Sequence, residues 1–219
     1  MKKIILSLLL LTLFVFPAFA ADYMPKYSDS IRNFGIGIYF GDGTATVYSE
    51  PDENSKILAK MAWDADKVKI DERVTEPKNV FAVFLPDNAL SGFIALDEQG
   101  TEYTKILYDN QKGLSGWIKN APDTRVFYWR QLFYKYGKTR GLFVFSNIGK
   151  DQRILRLAPE EDAEISQHFI YPRYIRLQLI KGNWALLKVV DYDNEQKVGW
   201  FKWRNSDGTL NMYPDFKGN

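Results

Sequence analysis

The chain has 219 residues, of which 16% are aromatic, none is cysteine and one is histidine, and its formal net charge is +2. Without cysteine it can form no disulfide, no thiol nucleophile and no cysteine-ligated zinc or iron–sulfur centre. Its aromatic and β-branched content argues against a disordered chain. The excess charge comes from Lys2 and Lys3. The remainder is balanced, so electrostatics give no reason to expect a nucleic-acid partner.

Residues 1–20 have the layout of a secretory signal peptide. A basic head at residues 1–3 precedes an apolar stretch at 4–16, and an Ala-Phe-Ala cleavage site follows at 18–20. The alternative is a membrane anchor, but the apolar stretch is shorter than the ~20 residues that cross a bilayer, and Pro17 interrupts it. We therefore predict an exported protein, periplasmic or extracellular, with no membrane span in the mature form.

Two later segments repeat the same landmarks in the same order. Pro51 and Pro159 lie 108 positions apart, each in a polar turn phrase. The segments close on Ser115-Gly116-Trp117-Ile118-Lys119 and on Val198-Gly199-Trp200-Phe201-Lys202. We interpret this pattern as a duplication. The predicted organisation is an N-terminal extension at 21–33, a first domain at 34–120, a linker helix at 121–139, and a second domain with a C-terminal tail at 140–219.

The first domain is longer than the second between its turn phrase and its closing phrase. The additional sequence contains two apolar runs, at 80–85 and 92–96, on either side of Pro86-Asp87-Asn88. Two short apolar runs around a turn cluster are typical of a β-hairpin. The pattern predicts an inserted hairpin near residues 78–100.

The local pattern of both domains is β, because short runs rich in Val, Ile, Tyr, Phe and Leu alternate with turn residues. The exception is 123–136, where Val126, Trp129 and Phe133 recur at the spacing of one helix face. An isolated helix of this length is marginal in water. We therefore predict a short aromatic-rich helix that packs these three residues against at least one domain.

The phrase Val47-Tyr48-Ser49-Glu50-Pro51, followed by a polar loop and an apolar residue, resembles the opening of a bacterial Src-homology-3-like (SH3-like) domain. The closing Gly-Trp-Ile-Lys and Gly-Trp-Phe-Lys phrases resemble its last strands. The resemblance implies a mainly β fold of two tandem small barrels. It also implies binding of cell-wall peptides or of other proteins, often beside a hydrolase. The inserted hairpin and the lack of an accompanying catalytic domain depart from that pattern.

The residue types that catalysis needs are poorly placed in this sequence. His168 is the only histidine, and it falls in an expected strand with no serine motif nearby. The acidic loops after Pro51 and Pro159 offer carboxylates, but glycosidase-type chemistry needs one of them buried in a cleft. The loops also lack the ligand spacing of a calcium-binding EF-hand. We predict no catalytic residue, no metal and no cofactor.

Binding remains the favoured function, since the aromatic residues exceed what two small cores require and exposed aromatics supply contact area. Tyr48 has no aromatic counterpart in the second domain, where Leu155 or Leu157 takes its place, so the first domain is the better candidate. The predicted ligand contacts are Tyr48, Glu50, Asp52, Trp63, Tyr128 and Tyr134.

The sequence thus predicts an exported, non-enzymatic protein that binds cell-wall peptides or a protein partner in the cell envelope. One alternative is an inhibitor or immunity protein that caps an envelope hydrolase with a loop. The other is a cell-wall hydrolase that uses the loop carboxylates. The oligomeric state and the identity of the partner stay open.

Overall fold

The structure is a computed structural model that describes residues 22–122 and 124–218. Within them the protein is mainly β, with 47% of the residues in strands and 11% in helices, and the strands form two antiparallel sheets. The predicted fold class is confirmed at this level. The predicted signal peptide, residues 1–20, lies outside the described residues.

The first half of the protein carries the first sheet, and the second half carries the second. The first sheet contains β1 (Gly37–Phe40), β2 (Thr44–Tyr48), β3 (Ile57–Trp63), β4 (Val68–Ile70), β5 (Arg73–Thr75), β6 (Val83–Leu85), β7 (Leu90–Gln99), β8 (Tyr103–Asp109), β9 (Leu114–Lys119) and β10 (Val126–Tyr128). The second contains β11 (Leu142–Val144), β12 (Ile154–Arg156), β13 (Ile165–His168), β14 (Pro172–Lys181), β15 (Trp184–Asp191), β16 (Gln196–Lys202) and β17 (Met212–Pro214). A helical segment joins them, formed by α1 (Trp129–Leu132) and a π-helical turn (Phe133–Gly137), and short 3-10 turns lie at Ser28–Ser30, Pro77–Asn79, Pro86–Asn88 and Lys150–Gln152.

The two sheets share one strand order. In the first sheet the order is β10-β1-β7-β8-β9-β2-β3, continued by β4 and β5, with β6 beside β7. In the second sheet it is β17-β11-β14-β15-β16-β12-β13. Seven strands therefore occupy matching positions in the two halves. A duplicated domain would produce this repetition.

The repetition extends to single hydrogen bonds in the loop after β2 and after β12. The backbone N–H of Ser49 donates to the carbonyl of Lys56 at 2.9 Å. The N–H of Leu157 donates to the carbonyl of Glu164 at 3.0 Å, and both partners lie 108 positions further along. A bulge interrupts the β2–β3 and β12–β13 ladders at the same place. The two loops therefore begin and close in the same way.

Neither sheet closes into a barrel over residues 22–122 and 124–218. This differs from the small closed barrels that the resemblance implies. Closure requires the two end strands of a sheet to pair with each other. Here the end strands β10 and β17 instead lie against the helical segment. They help to join the two halves rather than to seal each sheet.

The additional elements of the first half lie earlier in the chain than predicted. The strands β4, β5 and β6 have no counterpart in the described part of the second half. A hairpin is present where β6 pairs with β7. However, β7 lies between β1 and β8, and β14 has the equivalent position in the second sheet, between β11 and β15. The insertion therefore ends before Leu90 rather than near residue 100, because the run after Leu90 is a central, buried strand.

The helix is also shorter than the predicted 123–136. Its predicted first residue lies outside the described residues, and Val126, Phe127 and Tyr128 form β10. These three residues pair with Tyr39, Ile38 and Gly37 of β1. Residues with β-branched or aromatic side chains favour a strand when an unpaired edge is available. The α-helix consequently begins at Trp129.

Trp129 and Phe133 of the helical segment are buried between the two halves, as predicted, with exposed fractions of 1% and 0%. The indole of Trp129 contacts Phe34 of the first half and Tyr213 of the second, with ring centroids 6.2 and 5.5 Å away. Its Nε1–H donates to the carbonyl of Phe34 at 2.7 Å. Phe133 packs on Trp203 at 4.7 Å. One continuous apolar cluster therefore includes residues of both halves.

Candidate functional site

The first half contains a cleft of about 290 Å³ at the end of its sheet, which we name the first cleft. It lies between the β1–β2 turn, β2, the end of β3 and the end of β9. Two predicted ligand contacts, Tyr48 and Trp63, line it together. The other side chains that shape it include Tyr39, Asp42, Ile118 and Lys119.

Local packing fixes the two aromatic residues of the first cleft. Tyr48 ends β2 at the bulge and lies opposite Trp117 of β9. Trp63 ends β3 and is 8% exposed, since its indole packs edge-on against Phe81 and Phe93 at 5.5 and 5.3 Å. Tyr48 is half-buried and therefore more exposed than Trp63. It is the stronger candidate for a ligand contact.

The predicted contacts Glu50 and Asp52 lie in the exposed loop beside the first cleft and do not line it. A carboxylate oxygen of Asp52 accepts a hydrogen bond from the backbone N–H of Asn54 at 2.9 Å, which stabilises the turn. The neighbouring Glu53 instead forms an ion pair with Lys119 on the wall of the cleft. The ammonium of Lys119 donates a hydrogen bond to the Glu53 carboxylate, and this bond and the carboxylate charge raise the pKa of Lys119. The loop therefore connects to the cleft through Glu53, which the sequence did not single out.

A second cleft of about 480 Å³ occupies the equivalent position in the second half. Its walls include Arg156, Trp184 and Lys202. Glu161 forms an ion pair with Lys202, as Glu53 does with Lys119. The acidic partner again lies in the loop that follows the proline. The ion pair between this loop and the closing strand is thus present in both halves.

Arg156 is the counterpart of Tyr48. It lies opposite Trp200 in the β12–β16 ladder, as Tyr48 lies opposite Trp117. The prediction that Leu155 or Leu157 takes this place is wrong, because Leu155 is fully buried and Leu157 is 62% exposed on the loop. The second cleft is therefore lined by a guanidinium where the first has a phenol. The shared spacing of 108 positions already pointed to Arg156.

The glycine of each closing phrase allows the closing strand to approach the strand that bears Tyr48 or Arg156. A Cβ on Gly116 would lie 2.5 Å from Val47 Cγ1 and 2.8 Å from the carbonyl oxygen of Tyr48. A Cβ on Gly199 would lie 2.7 Å from Leu155 Cβ and 3.1 Å from the carbonyl oxygen of Arg156. Close backbone approach explains why glycine recurs at this position.

Tyr128 and Tyr134 line neither cleft. The hydroxyl of Tyr128, at the start of the helical segment, donates to a carboxylate oxygen of Glu98 at 2.5 Å, and this hydrogen bond raises the pKa of the tyrosine. The hydroxyl of Tyr134 accepts the backbone N–H of Ile180 at 3.1 Å, which lowers the pKa of Tyr134. The Tyr128 bond therefore joins β10 to β7 within the first sheet, and the Tyr134 bond joins the helical segment to β14.

The carboxylates and the histidine considered for catalysis lie on the surface. His168 is exposed at the end of β13, and Asp52, Glu160 and Asp162 are exposed in the two loops. Glycosidase-type chemistry needs one carboxylate buried in a cleft, and these three carboxylates are exposed.

The tip of the β15–β16 hairpin brings three acidic residues together, Asp191, Asp193 and Glu195, with carboxylate oxygens within 4.8 Å of one another. The ammonium of Lys197 already forms ion pairs with two of these carboxylates. The ammonium lies 2.6 Å from Asp191 and 3.4 Å from Glu195. The hydrogen bond to Asp191 raises the pKa of Lys197, which keeps the ammonium charged beside these carboxylates. The cluster is a salt-bridge network.

We compared the chain with the models of known protein families and with curated proteins, and neither comparison found a match. In the part of the chain that the structure describes, no helix is long and apolar enough to cross a membrane.

Proposed function

We propose that the chain is an exported, non-enzymatic binding protein built from two diverged Src-homology-3-like domains. In this proposal the first cleft receives an extended peptide of the cell wall or of a protein partner in the cell envelope. The observation that carries the proposal is the position of Tyr48 and Trp63 in one cleft beside the loop after β2. Export rests on the layout of residues 1–20.

The chemistry of the first cleft suits a peptide. Tyr48 and Trp63 supply aromatic area with little loss of side-chain entropy on binding. Asp42 and Lys119 place one acidic and one basic group on its walls. The volume of about 290 Å³ is at the small end for pockets that enclose a drug-sized ligand. It fits one or two side chains of a peptide that lies across the surface.

The shared strand order, the repeated loop bonds and the two close glycine contacts support a duplication of one domain. The closing Gly-Trp phrases that carry the family resemblance also take part in these repeated contacts. The resemblance is the reason to look for the ligand in the cell envelope.

The test is binding of the purified protein to peptidoglycan and to soluble muropeptides. Tyr48→Ala is expected to weaken muropeptide binding about tenfold, since it removes the exposed aromatic contact. Two controls should bind normally. Arg156→Ala changes the equivalent position of the second cleft, and Tyr192→Ala removes a phenol that is 75% exposed on a distant turn.

The alternatives give different outcomes. Release of soluble fragments by the wild type, abolished by Asp52→Asn or Glu160→Gln, would establish the hydrolase. An absence of binding to both wall preparations would reject the wall ligand and leave a protein partner. Equal binding by wild type and Tyr48→Ala would reject the first cleft as the site.

One structural feature favours the inhibitor alternative as the second candidate. β5 is an edge strand of the first sheet, and its Val74 is 69% exposed. An exposed edge strand can pair with a strand of a partner protein. In that case Val74→Lys would abolish capture of an envelope hydrolase, whereas Tyr48→Ala would leave it unchanged.

A further inference from the structure

A separate polar pocket of about 340 Å³ lies where three distant parts of the first half meet. The N-terminal segment contributes Tyr23, Asp29 and Arg32, the insertion contributes Asn79, and the β8–β9 turn contributes Asn110. We name it the N-terminal pocket. Over the described residues it shares no lining side chain with either cleft.

The N-terminal pocket is lined by buried polar atoms that have no partner. Among the residues that the structure describes, four buried side-chain atoms lack a hydrogen bond, and three belong to this pocket. They are the hydroxyl of Tyr23 and the Oδ1 atoms of Asn79 and Asn110. Asn110 is 1% exposed. Buried polar atoms are nearly always satisfied in folded proteins, so this pocket offers three unpaired polar groups to a polar ligand.

Internal hydrogen bonds fix both amides so that their oxygens remain unpaired. The Nδ2 group of Asn110 donates to the carbonyls of Lys78 and Phe81, both at 3.0 Å. The Nδ2 group of Asn79 donates to Thr75 Oγ1 at 3.1 Å. The two unpaired amide oxygens can only accept hydrogen bonds. The molecule that satisfies them must therefore present N–H or O–H donors.

The lining also includes two exposed charged residues of opposite sign, Asp29 and Arg32. Within residues 22–122 and 124–218, neither Asp29 nor Arg32 forms an ion pair or a side-chain hydrogen bond, whereas Lys78 is paired with Glu76. Burial raises the pKa of Tyr23. The hydroxyl of Tyr23 thus stays protonated and can donate. The pocket offers acceptors and an anion together with a cation and a donor.

We propose that the N-terminal pocket binds a compact zwitterion of the amino-acid class. An ammonium group brings three N–H donors, which match the two amide oxygens and the Asp29 carboxylate. A carboxylate matches the Arg32 guanidinium and the Tyr23 hydroxyl, and guanidinium–carboxylate pairs are among the stronger charge-assisted contacts. This proposal does not rest on the function proposed for the first cleft.

The first experiment measures binding of D-alanine, L-alanine and dialanine to the purified protein by calorimetry, up to about 10 mM because weak millimolar affinity is sufficient to establish the site. The two alanines represent a free amino acid, and dialanine represents a short peptide. N-acetylalanine and alanine methyl ester each lack one charge. Binding of a zwitterion at least about tenfold tighter than both capped forms is the expected result. Equal binding of the capped forms would overturn the proposal, as would no binding at all, which would leave only water on the amide oxygens.

Variants then assign the contacts. Arg32→Gln is expected to weaken binding about tenfold or more, and Tyr23→Phe by a smaller factor. Neither substitution removes a hydrogen bond within the described protein, so both variants should fold. Arg73→Gln, at an exposed arginine on β5, is the matched control. Normal binding by both Arg32→Gln and Tyr23→Phe would place the ligand elsewhere and overturn the assignment.

Discussion

The two halves of the protein agree in their framework and differ in the side chains that their clefts present. Both sheets have the same strand order, and both closing strands bring a glycine onto the strand that borders the cleft. At the same position of that bordering strand, however, the first half has Tyr48 and the second has Arg156. Backbone contact constrains the repeated residues, whereas the side chain at this cleft position differs between the halves.

A second difference lies in what surrounds each sheet. Among the described residues, β4, β5 and β6 occur in the first half alone, and its N-terminal pocket depends on residues of that insertion. The helical segment and the strand β17 then connect the halves through Trp129 and Tyr213. The hydroxyl of Tyr213 donates to the carbonyl of Ala82 in the first half at 3.1 Å. The predictions below test how far the two halves behave as one unit.

The largest expected effect comes from Trp129→Ala. The substitution removes a buried indole that contacts both halves and leaves the carbonyl of Phe34 without its hydrogen bond. The buried indole no longer contributes its transfer free energy, and its removal leaves a cavity. Together these two effects should lower the free energy of unfolding by about 3–5 kcal/mol. Chemical denaturation followed by fluorescence and circular dichroism measures this change.

The shape of the transition shows how the halves are coupled. A single transition at lower denaturant concentration would mean that they still unfold together, and a split into two would mean that Trp129 couples them. Tyr192→Ala is the control, because that phenol is largely exposed. An unchanged transition for Trp129→Ala would contradict the central packing of the helical segment.

Gly116→Ala and Gly199→Ala test whether the two closing strands are constrained alike. The new methyl group would lie 2.5 and 2.8 Å from Val47 and Tyr48 in the first half, distances too short for a Cβ. In the second half it would lie 2.7 Å from Leu155, which is also too short, and 3.1 Å from Arg156, which is a tight contact. Each substitution should destabilise the protein by about 1–3 kcal/mol through overpacking, with the larger effect at Gly116.

The control for the two glycines is Gly41→Ala, whose nearest neighbour would be a side chain at 3.3 Å rather than backbone. The melting temperatures of the three variants, measured side by side, show which glycine is most constrained by its neighbours. If Gly116→Ala proved no less stable than Gly41→Ala, close approach would not explain the glycine of the closing phrase.

Sequence reasoning succeeded where a feature depends on neighbouring residues. Alternating runs predicted a mainly β protein, and the spacing of Trp129 and Phe133 predicted their burial. It failed where contacts with residues distant in the chain determine the local structure. Val126 has the spacing of a helix residue but pairs with Tyr39 in the first sheet.

The candidate sites show the same difference between features that neighbouring residues determine and features that need distant residues. The sequence marked Tyr48 and Trp63 individually, and the structure places them in one cleft. It gave no sign of the N-terminal pocket. That pocket needs Tyr23, Asn79 and Asn110 from three segments that meet only after folding.

The next prediction concerns the contact between the halves at high pH. Burial raises the pKa of Tyr213 well above its usual value, so the folded protein keeps this phenol neutral. In the unfolded chain it ionises near its ordinary pKa of about 10. The unfolded state then binds fewer protons than the folded state, and stability must fall as the pH rises above about 10.

Tyr213→Phe should remove part of this loss while costing about 1 kcal/mol at neutral pH through the missing hydrogen bond to Ala82. Urea unfolding midpoints measured between about pH 7 and pH 11 give both quantities, a range that spans the ordinary tyrosine pKa. Tyr192→Phe is the exposed control. An identical pH dependence in Tyr213→Phe and the wild type would show that Tyr213 does not contribute to the alkaline loss.

The smallest expected effect comes from the two repeated ion pairs, Glu53–Lys119 and Glu161–Lys202. Their carboxylates are largely open to solvent, where water and salt screen the attraction and the long side chains lose entropy on pairing. Glu53→Gln and Glu161→Gln should therefore change the melting temperature by less than about 3 °C, and the change should vanish in about 1 M salt. A drop larger than about 5 °C that persists at high salt in either variant would mean that the pair holds its loop against the closing strand. The repeated ion pair would then belong to the framework that the two halves share, together with the close glycine contacts, rather than to the surface that distinguishes their clefts.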